Sequence, residues 1–93
     1  MMTLNKAWQE FNNEFEIKAT RDPKSALLRG AFAYKACKIG WRAEDIASVI
    51  QRNRTITNHA RRLHEERSDK RFNPAYYKDY NNAVEVAGKL LDK

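Results

Sequence analysis

Apolar residues recur every three or four positions along almost the whole of this 93-residue chain, and glycine and proline, its usual breakers, number only three and two. That spacing is the signature of amphipathic helices, and so sparse a supply of breakers leaves little room for hairpins or a strand-rich fold. Leu4, Trp8, Phe11 and Phe15 make a first helical stripe. A basic connection, Lys18 to Arg21, follows, and Asp22-Pro23 then opens a second helix, with Asp as the cap and Pro in the first turn. That helix carries Leu27, Leu28, Ala31, Phe32 and Ala36 and stops at Gly40, with Trp41 as a lid on the core. Ala43-Glu44-Asp45 starts a third helix, acidic at its N-terminus, that buries Ile46, Ala47, Val49 and Ile50. Gln51-Arg52-Asn53 forms a turn, and a fourth helix runs from about Arg54 to Arg67. Asn73-Pro74 caps and opens a fifth, striped by Tyr77, Tyr80, Val84, Ala87 and Leu91. The expectation is an all-α fold, a single small domain of about five helices spanning residues 1–93, with no internal repeat or linker.

Charge narrows the function. Eighteen Lys and Arg against twelve Asp and Glu leave a net charge of +6, an excess that favours polyanions. A single cysteine, Cys37, rules out an internal disulfide framework and a cysteine-based zinc cluster, and its Ala-rich setting suits a small buried residue. The start lacks the apolar run of a signal peptide, and no stretch reaches the roughly 18 apolar residues of a membrane span. A reducing cytoplasm, with no membrane partner, is the expected setting.

The stretch from Asp45 to Leu63 carries the functional signal. It reads as two short helices joined by a tight polar turn, the pattern of a helix-turn-helix spanning about residues 43–67. With Ile56, Ala60 and Leu63 facing inward, Thr55, Asn58 and Arg62 share the outward side, flanked by Arg54, Thr57 and Arg61. From Arg52 through Arg62 there are four arginines and no acid. A merely solvated helix face mixes signs at i,i+4 spacing, as the later run Glu65, Glu66, Arg67, Asp69, Lys70 does. Arginine can donate twice to a guanine edge, asparagine can pair with adenine, and threonine can meet a phosphate or a thymine methyl. The pattern favours a helix in the major groove of duplex DNA.

Asp45-Ile46-Ala47, the turn Arg52-Asn53-Arg54-Thr55, and His59-Ala60 followed by Arg61-Arg62 resemble the C-terminal DNA-binding domain of the bacterial replication initiator DnaA. That family shows Glu-Ile-Gly, then Gly-Gly-Arg-Asp-His-Thr-Thr, then His-Ala and a basic pair. The order of elements from about Gln9 to Lys93 is also similar. The resemblance implies an initiator-type (Trp-repressor-like) fold and sequence-specific duplex binding, with the second motif helix in the major groove and a basic loop reaching the minor groove. Arg52, Thr55 and His59 match the family's residue types, while Asn53 stands for its Asp and Arg54 for its His. Lys24 and Arg29 fall near its basic loop, where Leu27 and Leu28 interrupt the family's Arg-Pro-Arg. The turn is one residue shorter, so two registers are open. Aligning His59-Ala60 points Thr57 inward; apolar spacing points Ile56 inward and is preferred, because burying isoleucine gains more than burying threonine.

No Gly-rich phosphate loop is present, so nucleotide hydrolysis is not expected, and no catalytic triad or other enzymatic signature stands out. His59 and His64 are five positions apart, about 140° around a helix, and do not converge on a metal. No cofactor is expected. Phe72, Tyr76, Tyr77 and Tyr80 suit core packing or a subunit contact better than stacking on bases. The composite expectation is a basic DNA-binding regulator of replication or transcription, of the stand-alone kind a phage or mobile element carries, acting at the nucleoid or in a host cytoplasm. A homodimer is open, although no heptad seam is visible. The competing readings are a module on the same scaffold that binds a host or phage protein, with Trp8 and the closing aromatics as anchors, and a general RNA- or nucleic-acid-binding protein.

Overall fold

The computed structural model describes residues 3–17, 22–52 and 55–92. Among them the chain forms five helices and no strand: α1 (Leu4–Phe15), α2 (Pro23–Ile39), α3 (Ala43–Ile50), α4 (Thr55–Ser68) and α5 (Tyr77–Leu91). The expected basic connection at 18–21 lies outside the described residues.

Local chemistry sets most of these boundaries. The Thr3 hydroxyl accepts from the Lys6 N–H at 3.1 Å, and the Asp22 carboxylate accepts from the Ser25 N–H at 3.0 Å, with Pro23 in the first turn. Gly40 closes α2 at φ 124°, a conformation that strains any residue with a Cβ. Gln51 ends α3 in the left-handed region at φ 62°, and the Arg52 N–H returns to the Ala47 carbonyl at 2.9 Å. This closure redirects the chain toward α4.

Helix α2 is the axis of the fold. Residues 27–33 are buried without a break, and α2 contacts each of the other four helices. A helix enclosed on all sides needs small residues where neighbours approach, and Gly30, Ala31, Ala33 and Ala36 provide them. On one flank Trp8 and Phe11 of α1 pack on Phe32 and Phe15 packs on Phe11, with ring centroids 4.7–5.9 Å apart. Such tilted and edge-on pairs add to the burial of the rings themselves. Helix α4 packs on α2, α3 and α5 and does not touch α1.

Three details differ from the sequence-based expectation. Helix α5 begins at Tyr77, not at Asn73-Pro74, because Asn73 serves the preceding helix: its Nδ2 donates to the Arg67 carbonyl at 2.9 Å. The Asn73 carbonyl then accepts the N–H groups of Tyr76 and Tyr77 across a turn. Cys37 and Val49 are half-buried rather than enclosed. Most consequentially, α4 is rotated from its expected register. Thr57 is 1% exposed, whereas Ile56 and Leu63 are half-buried. The inward stripe is Thr57, Ala60, His64 and Arg67, and it is held by the polar contacts of its last two members described below.

Candidate nucleic-acid interface

The rotation of α4 settles which of its side chains reach solvent. Thr55, Asn58, His59, Arg61 and Arg62 are all exposed, and the helix carries no acid before Glu65. Arg52 is exposed on the turn, where its Nη1 donates to the Gln51 carbonyl at 2.9 Å. Lys24 is exposed in the first turn of α2. These seven expected contacts therefore lie on the surface, five of them on two consecutive turns of one helix.

Thr57 and Arg29 are corrections. Thr57 lies in the core, and its hydroxyl has no hydrogen-bond partner among the described residues. Arg29 is 5% exposed on α2, at the base of two clefts lined by residues of α1, α3, α4 and the turn at Arg52. Neither is placed to touch an external duplex edge. Asn53 and Arg54 lie outside the described residues.

Two groups on the second half of α4 escaped sequence reasoning. The ring of His64 stacks on Tyr34, with centroids 3.7 Å apart and planes within 5°. Its Nδ1 lies 2.7 Å from the Tyr80 hydroxyl, itself completely buried. In the neutral Nε2–H tautomer, Tyr80 donates and Nδ1 accepts. Burial and the nearby Lys38 charge lower the His64 pKa, which favours that neutral form. Burial likewise raises the Tyr80 pKa and keeps its proton in place. In sequence His64 stood only beside Glu65 and Glu66, and no local signal pointed sixteen residues ahead to its partner.

The second group is Arg67. Its guanidinium lies against Gly30, so that a Cβ at position 30 would collide with Nη1. Burial lowers the Arg67 pKa, opposed by Tyr80 and Glu66. Burial lowers that of Arg29 too, reinforced by repulsion from Arg52 and opposed by Asp22. Arg29, Arg52 and Arg67 line one cleft of about 270 Å³, together with Ala26, Gly30, Thr55, Ile56 and His59. A signal for this packing was available: glycine in the middle of a long helix is unfavourable unless something must come close.

No family model, curated protein or solved structure matches the chain.

Proposed function

We propose that this chain binds double-stranded DNA sequence-specifically, with α3, its turn and α4 acting as a helix-turn-helix and α4 lying in the major groove. The observation that carries the reading is the exposed, acid-free row Thr55, Asn58, His59, Arg61, Arg62 on the first turns of α4. In this reading Arg62 donates to a guanine edge and Asn58 pairs with adenine, while Thr55, Arg52 and Lys24 hold phosphates. Asn53 and Arg54 belong to the same proposed surface by their place in the motif. The resemblance to the initiator's C-terminal domain supports the reading and suggests a small regulator of replication or transcription, of phage or mobile-element type. The shortened turn and the changes at Asn53 and Arg54 imply a target site different from the initiator's own.

The interaction-module reading is weaker on structural grounds. Of its expected anchors, Trp8 packs on Phe11 and Phe32 and Tyr80 is fully buried, which leaves Phe72 and Tyr76 as the exposed aromatics it could use.

Selection from a pool of random duplexes tests the proposal. An enriched motif is the expected result, bound with an affinity that falls steeply with salt and persists against unrelated competitor DNA. Failure to enrich any sequence would transfer the assignment to a protein partner or to nonspecific nucleic-acid binding.

A further inference from the structure

On the flank of α4 turned away from the Arg52 turn, the exposed row meets the C-terminal end of α2. His59 and Arg61 stand two residues apart, about 200° round the helix, so they open on opposite sides. His59 lines the cleft that Arg52 also lines, whereas Arg61 lines a second cleft of about 370 Å³ with Tyr34, Cys37 and Lys38 of α2. Short contacts tie the two helices together there. The Lys38 Nζ donates to the Tyr34 hydroxyl at 3.4 Å, and the Tyr34 ring stacks on His64, three residues after Arg61. The charge of Lys38 is felt at His64, which places it against α4 and not only on its own helix. Lys38 and Arg61 are both exposed, and neither forms an ion pair among the described residues. The lining holds no carboxylate, and Glu65, one turn beyond Arg61, is outside it.

We propose that this cleft extends the duplex-binding surface onto α2, with Arg61 and Lys38 holding neighbouring backbone phosphates of the strand that borders α4. The inference rests on the DNA reading above. It adds to that reading a second helix and a residue, Lys38, that the helix-turn-helix itself does not contain. Position selects phosphate over base. A helix in the major groove has a phosphate strand along each side, and Arg61 leaves α4 at its side, next to the base-facing Asn58 and Arg62. Lys38 stands beyond Arg61 on another helix, further from the groove axis and in the path of that strand. An ammonium is a compact point charge with three donors, of which Tyr34 takes one and leaves two for phosphate oxygens. The stack on His64 holds Tyr34, and through it Lys38, beside α4. A cation in the last turn of α2 also suits the negative end of that helix, but this accounts for Lys38 alone and not for a second cation across the cleft. Cys37, half-buried in the lining, is covered when the strand is seated.

The test uses the full chain, the duplex enriched by selection and an unrelated duplex of equal length. Lys38→Gln and Arg61→Gln each remove one charge from the cleft. Lys6→Gln, exposed on α1, which does not touch α4, is the control for loss of one charge elsewhere. Each cleft variant is expected to lose about fivefold in affinity, by the same factor on both duplexes, and about one unit of salt slope, while the control keeps its slope. A second readout needs no variant. Cys37 is the only cysteine, and its alkylation by iodoacetamide in the wild type is expected to slow several-fold when duplex saturates the protein. The proposal stands only if both readouts move. Unchanged affinity and slope in either cleft variant overturn it, as does alkylation at the same rate with duplex bound. A loss confined to the selected duplex also overturns it, because the contact is then to a base. These failures leave the DNA reading intact where Arg62→Ala still weakens the selected complex. If no motif is enriched, the unrelated duplex alone carries the test, and both effects on it uphold the cleft while defeating sequence-specific binding. Failure of the wild type to bind either duplex defeats the DNA reading and the cleft with it.

Discussion

From Thr55 to Arg62, α4 turns five polar or basic side chains to solvent and only Thr57 and Ala60 fully inward. From Leu63 to Ser68 the same helix is tied down on every turn. His64 is stacked on Tyr34 and bonded to Tyr80, Arg67 lies across Gly30, and Asn73 and Asn81 donate to the carbonyls of Arg67 and Ser68. The second half fixes where α4 sits and how it is rotated. The first half, relieved of that task, can vary its outward residues at little cost to the fold, which is what a reading surface requires.

The strongest challenge to this division removes the main anchor. Tyr80→Ala empties a completely buried aromatic site and strips His64 of its partner, and is expected to destabilise the fold by about 3–5 kcal/mol in urea unfolding. A loss below about 1 kcal/mol would show that the second half of α4 is held by something else. Arg62→Ala, in contrast, is expected to weaken binding to a selected duplex by about 1–3 kcal/mol while leaving unfolding within about 0.5 kcal/mol of wild type. If stability rather than affinity moves, the two halves have been assigned the wrong way round.

Tyr80→Phe is a finer cut at the same anchor. It keeps the ring and removes only the hydroxyl, at an expected cost of about 1–2 kcal/mol. It also bears on pH. The His64 pKa is lowered in the folded protein, so between the folded and unfolded values the unfolded chain binds the extra proton. The contribution of neutral His64 is thus fully present above the unfolded value near 6.5 and is lost as pH falls through the lowered folded value. Unfolding midpoints should therefore drop between pH 7.5 and 5, and His64→Gln should flatten that drop. An equally steep drop in His64→Gln would place the responsible group elsewhere.

How much of this was legible in the sequence follows the range of the interactions. The helix starts at Leu4 and Ala43 stood out through apolar spacing and the acidic first turn Glu44-Asp45, and the cap at Asp22-Pro23 stood out because capping acts over three or four residues. The stop at Gly40 did so for the same reason, and the exposed row on α4 was visible because helical spacing carries it. What was hidden depends on partners far along the chain. His64 finds Tyr80 sixteen residues on, and Arg67 finds Gly30 thirty-seven residues back. Asn73, a good cap by type, was drawn instead to the Arg67 carbonyl six residues earlier, which moved the start of α5 to Tyr77. Arg29 looked like a surface cation, but the packing of elements distant in sequence leaves it 5% exposed.

The rotation of α4 is the clearest case, and it yields the smallest and most diagnostic prediction. Apolar bookkeeping alone would bury Ile56 and expose Thr57, but Thr57 stands three, seven and ten residues before Ala60, His64 and Arg67, and the anchors at His64 and Arg67 bring it inward with them. The cost of that choice is visible: the Thr57 hydroxyl is enclosed without a hydrogen-bond partner among the described residues. Thr57→Val replaces the hydroxyl with a methyl of nearly the same shape and removes the unsatisfied group. The expected outcome is a protein more stable by up to about 1 kcal/mol, with unchanged duplex affinity. Destabilisation would mean that the hydroxyl is bonded after all. A loss of affinity at unchanged stability would mean that Thr57 faces the ligand and that α4 is rotated toward the register with Ile56 inside. Because valine is equally β-branched and differs only in being apolar, the sign of this one change discriminates between the two registers where larger substitutions would disturb both halves of the helix.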